Sequence, residues 1–360
     1  MQIVVDLEKI RANCVAIKKI CDAARMQTVW VTKGCHSHSS IVRVLAETGE
    51  GLLGTSRVQE FGRIRDCFSG QIMMTRFPSS REVVDTVGGA DVMFVSDVYH
   101  VEVLSNAATA TGQTKQVLLM IDVGNGREGV RPGDAATVVK RCLSVPGLEL
   151  IGLGTSVGCL GGYRVGIDDL HTLIDVAKEV CALTGWQARC LSAGSGTMLL
   201  DLVRSGQMPP MITQLRIGAA LLVGERPPTK EAFPFLHQDA FVFRGEILEL
   251  GVKPPILPDR LDTDAFGKTL IAGKTEPRRQ ALMDFGVVDV DVDDLTPLIP
   301  TCRIVGASTD YTVCDVTACR EDLRVGSVLE FRMAYSAIVR AMGSAYIEKV
   351  FAVNKKTEDP

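Results

Sequence analysis

Lys33 closes the apolar run "TVWVTK" (28–33) and is followed at once by Gly34, Cys35, His36, Ser37 and His38. A primary amine at a strand end can be a surface cation. If it is partly withdrawn from water, its neutral form becomes accessible and can attack an aldehyde such as pyridoxal 5'-phosphate. That cofactor also brings a phosphate, which needs small residues where backbone N–H groups can approach it. "SAGSGTMLLDLV" offers Gly194, Ser195, Gly196 and Thr197 ahead of a helical pattern, and "LRIGAALLVG" offers a second turn at Gly218 and Ala219, preceded by Arg216. Taken singly, each is also what a tight turn requires. In "MIDVGNGREGV", Arg127 carries the fork that grips a carboxylate, such as that of an amino-acid substrate, or it pairs with Glu128 in the same loop.

The turn "KGCHSH" also raises a metal reading, because His-X-His after a first strand is seen in barrel hydrolases. Such a site needs further histidines at later strand ends, and the remaining ones are His100, His171 and His237. His171 falls within a helical pattern, and the run "ITQLRIGAALLVG" supplies no Asp. No metal is expected; these histidines belong to the loop or to the substrate pocket, with His36 the candidate for the pocket. Cys302, Cys314 and Cys319 are too irregularly spaced for a zinc knuckle and read as buried thiols.

These groups need a scaffold that gathers strand ends. Apolar, β-branched runs begin near residues 28, 51, 71, 91, 115, 148, 187 and 212, each followed by a helical pattern such as "SIVRVLAETG" or "DDLHTLIDVAKEVCALTG". Strands apolar on both faces and alternating with helices indicate a parallel sheet covered on both sides. Eight such units over about 200 residues fit a closed (β/α)8 TIM barrel, whose reactive groups gather at the C-terminal ends of the strands. "ERPPTKEAFPF" (225–235) reads as a linker. Beyond it, "AFVFRGEILELGV", "GVVDVDVDDL", "CRIVGAST", "YTVCDVT" and "SVLEFRMAY" alternate with period two, the pattern of antiparallel strands with one wet face. The expected division is a barrel over 1–228 and a β-rich C-terminal domain over 229–360, with the N-terminal helix packing beside the latter.

Composition narrows the partners. A formal net charge of -4 gives no electrostatic reason to expect nucleic acid or an anionic membrane. The opening "MQIVVDLEKIRANC" lacks the layout of a secretory signal, and no window is apolar enough to cross a bilayer. Eleven cysteines then point to free thiols in a reducing compartment, and a cytoplasmic location is expected.

Together these motifs resemble the ornithine-racemase-like branch of the alanine racemase superfamily, fold type III pyridoxal-phosphate enzymes. The resemblance runs through "VTK" at Lys33, "SRVQEFGRIR" (56–65), "VGNGREGV" (123–130), "GLGTSVGCLGG" (152–162), "LSAGSGT" (191–197), "LRIGAALLVG" (215–224), "GASTDYTVCDVT" (306–317) and "FRMAYSAIVRAMGSAYIEK" (331–349). It implies that Lys33 carries the cofactor through a Schiff base. It further implies phosphate contacts from Ser195, Gly196, Thr197, Gly218, Ala219 and Tyr335. Arg216 matches the arginine facing the pyridine nitrogen, and Arg127 the arginine near the substrate carboxylate. Racemisation needs acid–base groups on both faces of Cα. Lys33 serves one. For the other, the alanine racemases use a tyrosine of the partner subunit, where "DAFG" here has Phe266. Tyr311 or Cys159 is then the second group, and borrowing it across subunits implies a homodimer. The ornithine branch carries acids where this chain has Asn125 and Ala219, and His where it has Tyr311. A diamino substrate therefore lacks its usual counter-charges, and Asn125, His36 and Tyr163 are expected to tune the choice of substrate. The resulting expectation is a racemase of a free amino acid. The alternatives are a lyase or decarboxylase on the same scaffold, or a pyridoxal-phosphate-binding protein without turnover.

Overall fold

The chain begins with a short strand, β1 (Gln2–Asp6), and a helix, α1 (Leu7–Ala23), before the apolar runs take over. The computed structural model describes residues 1–49, 51–158, 163, 165–226, 229–254 and 276–352. The eight runs become eight parallel strands: β2 (Gln27–Val31), β3 (Leu52–Thr55), β4 (Gln71–Met74), β5 (Val92–Val95), β6 (Lys115–Met120), β7 (Leu148–Thr155), β8 (Cys190–Ala193) and β9 (Gln214–Ile217). They close in sequence order, with β9 pairing back onto β2 so that Val29 stands opposite Arg216. This is the expected (β/α)8 barrel.

Helices α2 (Ser39–Thr48), α3 (Phe61–Arg65), α4 (Val83–Gly89), α5 (Val98–Ala110), α6 (Ala135–Ser144), α7 (Ile167–Thr184), α8 (Gly196–Arg204) and α9 (Ala219–Val223) follow the strands. Each buries an apolar stripe; in α2 it is Ile41, Val42, Val44 and Leu45. Inside the barrel, Val29, Leu52, Met73, Val92, Phe94, Leu118 and Met120 form one buried cluster, so the lumen is packed with side chains and is no channel.

Close strand spacing fixes one glycine. A Cβ on Gly152 would lie 2.0 Å from the Cys190 carbonyl oxygen, which the neighbouring strand cannot move away. Gly152→Ala is expected to destabilise the barrel by about 1–3 kcal/mol, whereas Gly251→Ala, with open space around it, is expected to change little. Denaturant titration of the two variants checks this.

The chain divides into two compact units, Ile10–Leu236 and a unit made of Met1–Lys9 with His237–Pro360. The division thus lies at 236/237, later than the expected 228/229. The described residues of the segment read as a linker are structured: β10 (Glu225–Arg226) and β11 (Glu231–Ala232) pair, Arg226 grips Asp201 at 2.7 and 3.1 Å, and its guanidinium lies 4.2 Å over the Phe233 ring. At the N-terminus it is β1, not the bulk of α1, that joins the β-rich unit. From Ile10 onward α1 belongs to the barrel unit, where Asn13 donates to the Leu221 carbonyl at 3.2 Å.

Among the described residues, the β-rich unit forms an eight-stranded sheet. Its main path runs β14 (Leu295–Pro297), β17 (Val328–Met333), β12 (Phe241–Lys253), β13 (Arg278–Met283), β16 (Thr312–Asp315), β15 (Arg303–Ala307). β1 pairs antiparallel with β12 and parallel with β18 (Glu348–Ala352), and helix α10 (Tyr335–Gly343) precedes β18. One expected strand is not one. "GVVDVDVDDL" folds into turns because the Asp289 carboxylate, itself buried, accepts the Gly286 N–H at 3.0 Å and the backbone N–H groups of Asp289 and Val290 turn back to the Gly286 carbonyl. An Asx-type turn overrides the alternation there.

Candidate active site

A closed parallel barrel puts the C-terminal ends of its strands on one rim. It therefore brings Lys33 (after β2), Asn125 and Arg127 (after β6), Ser195–Thr197 (after β8) and Arg216–Ala219 (β9 and its turn) to the same mouth. Strand β2 ends at Val31, before the apolar run does, and Lys33–Cys35 form a 3-10 turn. Lys33 is exposed at the rim, and Gly34 and Cys35, the other two residues of the turn, are buried. The turn is tight: Thr32 O accepts the N–H groups of Cys35 (3.1 Å) and Ser37 (3.2 Å). His36 and Ser37 both have left-handed backbones, φ 51° and 49°, a conformation that costs non-glycine residues about 1–3 kcal/mol each.

The histidines of this turn have structural work. His38 caps α2, its Nδ1 accepting the Ser40 N–H at 3.3 Å, and His36 closes the 3-10 turn. Burial pushes the Cys35 thiol up to about 12, with the Glu60 charge adding to the effect, so it is no thiolate ligand at neutral pH. Among the described residues no three His, Cys, Asp or Glu side chains are arranged to hold a metal.

Arg216 is buried under the rim. Its Nη1 donates to the Ser192 carbonyl (3.1 Å) and Oγ (2.6 Å), its Nη2 to the Thr155 carbonyl (2.6 Å) and Ser156 Oγ (3.0 Å), and the guanidinium lies 5.0 Å over the Phe94 ring. A glycine makes room for it: a Cβ on Gly194 would sit 2.4 Å from Nη2. Ser192 Oγ in turn donates to Gln214 Oε1 at 2.6 Å, and Gln214 Nε2 to Gln27 at 2.7 Å, which orients the first link of the chain.

The two small-residue turns are joined. Ser195 takes a left-handed conformation as N-cap of α8, φ 57°, and the Ala220 N–H donates to Thr197 Oγ1 at 3.1 Å. On the opposite side of the barrel, Asn125 is buried; its Oδ1 accepts the Gly158 N–H at 3.0 Å and its Nδ2 has no partner among the described residues. A buried amide donor left open at a rim is a position where a ligand acceptor would complete the bonding. Arg127 is exposed and engaged bidentately by Glu128, the alternative already apparent in the sequence.

Tyr163 donates to the buried Asp169, and that bond, with partial burial and the charges of Asp169 and Asp122, pushes its phenol up to about 12. Removing the acceptor charge in Asp169→Asn is expected to bring the pKa of this phenol back down, so that it ionises at lower pH than in the parent, read as the difference in ultraviolet titration between that variant and its Tyr163→Phe double mutant.

Of the remaining candidates, Tyr311 and Tyr335 belong to the β-rich unit. Tyr311 is 46 % exposed in the turn between β15 and β16, where Ser308 N–H donates to its carbonyl at 2.8 Å, and Tyr335 starts α10. Cys159 and Phe266 lie outside the described residues. The sequence reading overlooked Glu60, Ser156 and Ser192, whose buried polar side chains support Lys33's turn and Arg216, and no pattern in the sequence marks them.

The family model described as "Alanine racemase, N-terminal domain" matches residues 5–227. The ornithine racemase of Acetoanaerobium sticklandii is 29 % identical over 349 residues, covering 97 % of this chain and 98 % of that protein. The lysine racemase of Thermotoga maritima is 29 % identical over 351 residues, with the same coverages of 97 % and 98 %. Among solved structures, the alanine racemase of Clostridium difficile 630 superposes with a TM-score of 0.75 at 15 % identity, covering 98 % of this chain and 96 % of that one, a likeness of fold. The barrel, its match over 5–227 and the full-length similarity to two racemases agree, and the chain belongs to the alanine racemase family.

Proposed function

We propose that this chain is an amino-acid racemase that holds pyridoxal phosphate on Lys33. The observation that carries the reading is the pairing of β2 with β9, which sets Arg216 opposite Val29 and so places a buried guanidinium on the strand beside the one that leads to Lys33. The donor set at the rim fits the cofactor: an amine for the aldehyde, a hydroxyl- and amide-bearing turn at Ser195–Thr197 beside Gly218 and Ala219 for the phosphate, and Arg216 for the pyridine nitrogen. When bound, pyridoxal phosphate withdraws electrons from the amino acid and makes its Cα proton exchangeable.

The chain's own residues supply the rest. Lys33 binds the aldehyde carbon and serves as acid–base group on one face of Cα. Arg216 cannot give up its proton at any working pH, so a pyridine nitrogen facing it stays unprotonated. That moderates the electron withdrawal and favours return of the proton over transamination. Four of the acceptors around the guanidinium are neutral oxygens, two carbonyls and two hydroxyls. Asn125 Nδ2 offers a donor to a substrate oxygen, and Arg127 a second one if it leaves Glu128. Tyr335 belongs to the proposed phosphate contacts, and His36 to the substrate side of the pocket. The second acid–base group is Tyr311 or Cys159, and supplying Tyr311 from a second copy of the chain would make the enzyme a homodimer in the cytoplasm.

The relatives are racemases of ornithine and of lysine, and both belong in the substrate panel. The test is incubation of the cofactor-loaded protein with single L-amino acids in deuterated water, followed by chiral chromatography and mass spectrometry. Appearance of the D-form with deuterium at Cα and an intact skeleton is expected. Cleavage or loss of CO2 would replace the reading with a lyase or decarboxylase, and cofactor binding without exchange would reduce the protein to a carrier.

A further inference from the structure

Glu60 is a carboxylate 3 % exposed, and among the described residues it has no cation partner. It sits at the end of a 3-10 turn (Val58–Glu60) that follows β3, and its Oε2 accepts two hydroxyls, Ser37 Oγ at 2.6 Å and Thr55 Oγ1. Ser37's one hydroxyl proton is thereby directed to Glu60, which leaves its oxygen to receive Thr32 Oγ1, 2.7 Å away. Thr32 is the residue before Lys33, and its N–H also reaches the Gly54 carbonyl of β3 at 2.8 Å. Thr32, Ser37 and Thr55 are all fully buried. Burial of an acid in this position disfavours folding unless the bonds it makes are worth keeping.

The bonds hold a strained segment. His36 and Ser37 are consecutive non-glycine residues in the left-handed region, and the turn they close begins at Lys33. We propose that Glu60 is a positioning residue for the Lys33 amine: through Ser37 and Thr32 on one side and Thr55 on the other, it locks the 33–37 turn to the end of β3 and fixes where Lys33 leaves the barrel rim. The role rests on the reading of Lys33 as the cofactor-binding amine. Glu60 touches neither cofactor nor substrate. It acts by keeping the strained turn in the one conformation that presents the amine.

The test uses the full chain and two readouts: amide hydrogen exchange of the segment 33–38 without cofactor, and the rate at which added pyridoxal phosphate is trapped on Lys33 by borohydride, followed by peptide mass spectrometry. In Glu60→Ala, exchange at 33–38 is expected to accelerate and trapping to slow, each by about tenfold or more, with α6 exchanging as in the parent. Glu60→Gln, whose amide oxygen can still accept both hydroxyls, is expected to restore both to within about threefold. Ser37→Ala breaks one link at less cost to folding and is expected to move both readouts in the same direction. Parental exchange at 33–38 in both Glu60→Ala and Ser37→Ala overturns the proposal. So does accelerated exchange with an unchanged trapping rate, since the turn would then be loosened without consequence for the amine. If the parent protein itself traps no cofactor on Lys33, the reading of the site fails first, and the two failures are distinguished by that control.

Discussion

Replacing Lys33 with alanine is expected to lower racemisation by at least about a thousandfold and to abolish the borohydride-stable adduct. Two losses combine: the covalent anchor and the acid–base group on one face of Cα. The side chain is exposed at the rim, so thermal unfolding is expected to stay close to that of the parent. Lys33→Arg sharpens the result, because it keeps the positive charge but has no amine that can lose a proton and form the Schiff base. If the role of Lys33 were electrostatic, arginine would recover much of the activity. A chiral assay beside mass spectrometry of the reduced protein separates the two, and persistent activity in Lys33→Ala would refute the assignment.

The second large effect is expected at Arg216, and it reaches stability as well as chemistry. Arg216→Met keeps much of the volume but removes every donor, leaving the Ser192 and Thr155 carbonyls and the Ser156 and Ser192 hydroxyls short of partners inside the barrel. Loss of charged hydrogen bonds at a buried site is expected to cost about 3–5 kcal/mol and to lower the barrel's melting temperature by roughly 10 °C. Function is expected to change in kind. Without a permanent cation facing it, the pyridine nitrogen is free to be protonated, and the share of turnovers ending in a keto acid should rise. Keto-acid formation per racemisation event, measured in the variant and the parent, is the check. An unchanged ratio would remove Arg216 from the control of reaction outcome.

Much of this architecture could be read in advance because barrel strands are buried on both faces and show as unbroken apolar runs. All eight were found, and so were the turns that carry Lys33, Ser195 and Gly218. Where polar side chains decide the local structure, the pattern misleads. "GVVDVDVDDL" alternates like a strand, yet Asp289 turns it back on itself. "ERPPTKEAFPF" has the composition of a linker, yet Arg226 ties it to Asp201 and Phe233. The supports of the site stayed hidden for a similar reason. Nothing in the residue type of Ser192, Ser156 or Glu60 reveals that folding will bury it against Arg216 or against Ser37. Only three-dimensional proximity gives such hydroxyls and acids their value.

The two ends of the described chain lie side by side, Gln2–Asp6 running parallel to Glu348–Ala352 with Gln2 opposite Glu348. During synthesis the first strand is therefore made hundreds of residues before its parallel neighbour, whereas the barrel pairs β2–β3 through β8–β9 join strands made in succession and only the closing β9–β2 pair does not. The barrel can collapse while the ribosome is still at work, but one side of β1 has to wait until β18 has been made, and until then it is an open β edge.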